Sequence, residues 1–134
     1  MEEKGDGYVV ASLGEESGYV PYTAFSAKKS YLEAHPEVIQ AFTNALQRGM
    51  DFVADHSPEE ISAVIKPQFP ETADATLTTI VTRYHEQDSW KQDLIFSEDA
   101  FMLLQNILEE AGELKERVPY EELVDTGFAQ KAAE

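Results

Sequence analysis

The sequence contains no cysteine, so neither a disulfide framework nor a thiolate zinc site is open to it. Bases are scarce. Ten Lys and Arg stand against 26 Asp and Glu, a formal net charge of −16, and phosphate backbones are bound by clustered bases, so nucleic acid is excluded as a partner. Anionic membrane surfaces are excluded for the same reason. No apolar run approaches the roughly 18 residues of a membrane span. Met1-Glu2-Glu3-Lys4-Gly5 has neither the basic nor the apolar region of a secretory signal, which places any export signal outside this chain. An initiating Met followed by acids directly before a strand-like stretch reads as an artificial start. The three histidines, His35, His56 and His85, fall at helix boundaries without the i, i+4 spacing of a helical metal site and read as exposed or capping groups. Phosphate loops, nucleophile elbows and EF-hand loops are also missing. The sequence offers no catalytic constellation, no cofactor motif and no metal site.

What is present fits one domain: 134 residues, 43% of them hydrophobic, enough in principle for a single core. The acids are spread among apolar positions, the pattern of solvated helix faces. Residues 7–36 hold nearly all the strand signal. Residues 8–13 and 19–26 are β-branched and aromatic, and Gly14 and Gly18 bracket Glu15-Glu16-Ser17 between them, which predicts a two-strand hairpin. Pro21 removes one donor from the second strand. A lone hairpin is marginal in water, so this one must lie on helices or join a larger sheet.

Beyond it, five or six helices are expected. A short one covers 28–34. Pro36, a favourable first helical residue, opens a long one to about Asp55, with Val38, Phe42, Ala45, Leu46, Gly49 and Val53 on one side and Gly49 suggesting a close packing contact. Ser57-Pro58-Glu59-Glu60 reads as a capping box; Ile61, Val64 and Ile65 form the apolar side of the helix it starts. A further helix covers 72–87 with Leu77, Ile80, Val81 and Tyr84 aligned. Ser97 caps another, with Phe101, Leu104, Ile107, Leu108 and Ala111 on its stripe and Gly112 as its stop. Short helical turns near 119–123 and after Asp125 or Thr126 complete the chain.

Acid pairs are common in so acidic a chain, and in helices capping and solvation explain them. Glu15-Glu16 is different, because it lies in a glycine-bracketed loop where backbone can approach a ligand.

The string 14–18 with Val20-Pro21-Tyr22-Thr23, 28–32 and His35-Pro36-Glu37 resembles the latter part of solute-binding proteins of ABC importers. Phe69-Pro70, Arg83-Tyr84, Asp88-Ser89-Trp90-Lys91, 101–114 and 118–129 extend the likeness over almost the whole chain. The branch resembled includes binders of nitrate, sulfonates, taurine and the thiamine pyrimidine precursor. The resemblance implies an α/β, type II periplasmic-binding-protein-like fold with two lobes. Residues 1–134 would be one partial domain from the return half: a strand and crossover element at 7–26 and a helical remainder at 27–134. It implies a non-catalytic, cofactor-free binding component with a small-molecule solute and an ABC permease as partners, periplasmic or extracellular and lipid-anchored at full length. Glu15, Glu16, Ser17, Tyr19, Tyr22 and Trp90 would then face the ligand, and a carboxylate there would favour a cationic or hydrogen-bond-donating solute. Packing is the other reading of Tyr19, Tyr22, Phe25 and Trp90, as core aromatics. The exposed edge at 19–26 would invite dimerisation. Two alternatives stand beside this: a fragment of a pyrimidine-synthase-like enzyme of the same fold, and a stand-alone acidic helical interaction module.

Overall fold

The computed structural model describes residues 2–134, and all regular elements among them are helical. After a 3-10 turn at Glu2–Lys4 come α1 (Leu13–Glu16), α2 (Lys29–Ala34), α3 (Pro36–Asp55), α4 (Pro58–Ile65), a 3-10 turn at Lys66–Gln68, α5 (Asp74–Glu86), α6 (Glu98–Glu110), α7 (Tyr120–Leu123) and α8 (Gly127–Ala132). The reading of the chain's start turns on Met1, which lies outside the described residues.

The expected α/β class, with two strands at 7–26, is overturned: the described residues contain no strand and no sheet. The amides of Glu15 and Glu16 both donate to the Ser12 carbonyl, at 3.2 and 3.1 Å, and wind the supposed turn into the single helical turn α1. Residues 19–27 carry no strand assignment. The physical reason is that a β-branched or aromatic run prefers a pleated surface packed against neighbours, and no neighbouring strand is present to supply one. The strand edge through which a dimer was expected is therefore not formed either.

Two helices, α4 and α6, begin on the serine caps expected of them, whereas Thr126 at the start of α8 makes no side-chain cap bond. Ser57 and Glu60 form the reciprocal box: the Glu60 amide donates to Ser57 Oγ (3.3 Å) and the Ser57 amide to Glu60 Oε2 (2.9 Å). Two of the first donors of α4 are thus satisfied. Ser97 accepts from the Ala100 amide at the start of α6. Gly112, at φ 75°, ends α6 in the left-handed conformation that glycine adopts without a Cβ penalty.

Packing is thin. α4 lies on α5, burying Ile61, Leu77 and Val81; α3 lies on α8, where Ala129 is buried. In α6 Phe101 is buried, edge-on to Phe96 and Tyr120, and the Tyr120 hydroxyl donates to the Phe96 carbonyl. Gln105, 4% exposed, clasps the backbone of Val118, donating to its carbonyl (3.2 Å) and accepting from its amide (2.8 Å). Among the described residues, Ile61, Leu77, Val81, Phe101 and Ala129 form the buried hydrophobic core.

α3 shows where the remaining apolar surface went. Its one buried residue is Gln47, and polar residues reach the neighbouring segments: Gln40 donates to the Phe128 carbonyl and Gln47 to that of Gln92. Val38 and Phe42, from the apolar stripe, remain 46% and 45% exposed, although Phe25 meets Phe42 edge-on at 5.1 Å. An amphipathic helix normally turns its apolar stripe to the core; much of this stripe faces outward. Accessible surface totals 10332 Å², against about 7,000 Å² for a folded monomer of this mass.

Candidate functional site

The N-terminal segment is tied to the C-terminal end of α5 at successive points. Arg83 pairs with Glu2 at 2.5 Å, the Ser12 hydroxyl donates to Gln87 Oε1 at 3.2 Å, and the Tyr19 hydroxyl donates to Asp88 Oδ2 at 2.5 Å. Lys91 Nζ lies 4.8 Å from the centroid of the Tyr19 ring, a cation over a negative aromatic face. Trp90, half-buried, stacks on Tyr84 with centroids 5.9 Å apart. The structure thus gathers Tyr19, Tyr84, Asp88, Trp90 and Lys91 around the turn that follows α5.

Of the six residues proposed from sequence, Tyr19 and Trp90 belong to this cluster. Glu15 and Glu16 are exposed in α1 beside it. Ser17 caps α1, its hydroxyl donating 2.6 Å to the Leu13 carbonyl, so it serves its own turn. Tyr22 stands apart at 99% exposure. Packing as core aromatics does not describe Tyr19, Tyr22 or Phe25, all exposed. Asp88 and Lys91 were missing from the expected site. Their signal was the helix stop at Gln87, where Asp88 stands in the position glycine usually fills.

Trp90 also forms one wall of an open apolar groove of about 290 Å³ on α3, lined by Ala45, Leu46, Gly49, Met50 and Val53. Gly49 does not make the expected close contact: a Cβ there would meet nothing within 4 Å. A second cavity, about 410 Å³ between α4 and α5, includes Glu59, Ser62, Lys66 and Asp74. Lys66 is paired with Asp74 at 2.6 Å, which neutralises the one base in it.

The electrostatics follow from these contacts. The hydrogen bond to Asp88, and the charge of that carboxylate, raise the Tyr19 phenol above its ordinary range. The Arg83 hydrogen bond lowers the Glu2 carboxyl, and the Ser57 backbone hydrogen bond lowers Glu60. Burial raises the Tyr120 phenol, with a smaller push from Glu98. Among the described residues no three His, Asp or Glu side chains converge as metal ligands, and no helix is long and apolar enough to cross a membrane.

No protein-family model matches the chain, and no solved structure matches it. The chain is similar to a Bacillus subtilis (strain 168) protein whose name reads "Putative binding protein YtlA", with 41% identity over 131 residues. That alignment covers 98% of this chain and 39% of the relative, so the chain spans about two fifths of the length of the curated relative it matches.

Proposed function

We propose that this chain is a portion of a non-catalytic binding protein that delivers a small solute to an ABC permease outside the cytoplasm. The observation that carries the reading is the misplaced apolar surface. Tyr8, Val9, Val10, Leu13, Tyr19, Tyr22 and Phe25 are all exposed within one short N-terminal stretch, and the α3 groove beside Trp90 is open. Soluble monomers rarely leave so much contiguous apolar area uncovered. The excess over a normal monomer, on the order of 3,000 Å², is more than the roughly 1,000–2,500 Å² that one partner buries in most permanent interfaces. With a net charge of −16, self-repulsion disfavours a second copy as the cover. Further polypeptide, such as the part of the relative outside the matched region, is the cover this reading invokes. A relative with a binding-protein name supports the binding role.

In this reading the solute lies beside α1 and the turn after α5, near Glu15, Glu16, Ser17, Tyr19 and Trp90, with Tyr22 left outside the cluster. Aromatic faces there stack on it and polar groups orient it. A thermal-shift screen of pyrimidines, sulfonates, nitrate and amines tests this on the chain expressed with its flanking polypeptide and on the 134-residue chain alone. One solute class should raise the Tm of the longer protein, since a ligand bound only by the native state stabilises it, and leave the short chain unmoved. No shift in the longer protein with any class, or an equal shift in both, would count against the proposal.

A further inference from the structure

Two helices of this chain end with the same hydrogen-bond pattern and different residues. At the end of α6, the Gly112 amide bonds the Glu109 carbonyl and the Glu113 amide bonds that of Leu108, both at 2.9 Å. At the end of α5, the Asp88 amide bonds the His85 carbonyl (3.2 Å) and the Ser89 amide bonds that of Tyr84 (3.0 Å). In each, the residue after the cap is left-handed: Gly112 at φ 75° and Asp88 at φ 50°. Glycine accepts that conformation freely; a residue with a Cβ is disfavoured in it, aspartate less than most. Asp88 is the one non-glycine residue with positive φ among those described.

Strain of this kind persists where the side chain has another task, and here the task is visible. The Asp88 carboxylate accepts the Tyr19 hydroxyl at 2.5 Å, Lys91 sits over the same ring, and Gln87, one residue earlier, accepts from Ser12. The two anchored residues, Ser12 and Tyr19, flank α1. Between them Gly18, at φ 73°, brings the backbone near Leu103 of α6, where a Cβ would lie 3.6 Å from the Leu103 side chain. We infer that Asp88 is a positioning residue: with Tyr19 it forms a clasp that fixes the α1 turn against the α5–α6 connection, at the expense of a relaxed helix end. The clasp stands on this geometry whether or not a solute binds beside α1.

The clasp separates the two variants in stability but not in local order. Asp88→Gly removes the acceptor and also relaxes the helix end, whereas Tyr19→Phe removes the donor and keeps the ring and the strain. Residues 14–20 should loosen in both, and Asp88→Gly should melt above Tyr19→Phe. Backbone 15N relaxation on the solute-free 134-residue chain reads the loosening: order parameters for 14–20 should fall from about 0.85 to below about 0.6 in both variants. The upfield shift that the Tyr19 ring imposes on the Lys91 side-chain protons should shrink with them. The clasp is overturned if either variant keeps 14–20 rigid, or if Asp88→Gly melts below Tyr19→Phe. Because no solute is present, failure here leaves the thermal-shift result standing, and the reverse holds as well.

Discussion

Replacing Gly49 by alanine should stabilise the 134-residue chain. Gly49 lies in the interior of α3, where glycine is less favourable than alanine by about 0.8–1.0 kcal/mol because of its greater backbone freedom in the unfolded chain. The added methyl would meet no atom within 4 Å and would project into the open groove formed with Leu46, Met50, Val53 and Trp90, so no steric term opposes the gain. At roughly 2.1 cal/mol/K of unfolding entropy per residue, a chain of this length gains about 3 °C in Tm. Urea unfolding followed by Trp90 fluorescence and by far-ultraviolet circular dichroism gives both the midpoint and the slope, and an unchanged slope would show that only stability moved. If the groove is covered by further polypeptide, the same methyl collides with the cover, and the gain should shrink or reverse in the longer protein. A neutral or destabilising effect in the short chain would refute the open groove, and the same gain in both would refute the cover.

Three further outcomes follow from contacts already described. Gln105→Leu removes both bonds to the Val118 backbone and should cost about 2 kcal/mol at about 1 kcal/mol per bond; a urea midpoint indistinguishable from the parent would contradict it. Ser57→Ala should cost about 1 kcal/mol through the lost cap of α4, read by the same unfolding curves. The Glu60 carboxyl is lowered by the Ser57 amide, so its contribution is present above its unfolded value and is lost as pH falls through the lower folded value. Glu60→Gln keeps an acceptor for the box, so its stability difference from the parent should shrink as pH is lowered from 7 to 3, and a constant difference across that range would exclude the linkage.

Helix ends were the legible part of this sequence. Ser57 with Glu60 and Ser97 act through hydrogen bonds to residues three positions away, Pro36 through its fixed φ and Gly112 through its left-handed φ, so each depends only on its local chain. The 7–26 stretch was not legible, because its aromatics report a preference for a packed surface without saying whether the surface is present. α3 misled in the same way: its stripe was correctly periodic, yet Gln47 is buried while Val38 and Phe42 remain exposed. Periodicity identifies an apolar face but not its neighbour. In the candidate site, Tyr19 and Trp90 were expected from the resemblance and their aromatic character, and both lie in the cluster after α5. Asp88, 69 positions from Tyr19, was hidden because the bond joining them is non-local.

The claim that further polypeptide covers the apolar N-terminal stretch is tested most directly by hydrogen exchange across residues 8–25. In the 134-residue chain most of these amides have no hydrogen-bonded helix or strand to protect them and should exchange quickly. In the chain expressed with its flanking polypeptide they should become slow if the stretch is covered. Equally fast exchange in both proteins would contradict the claim.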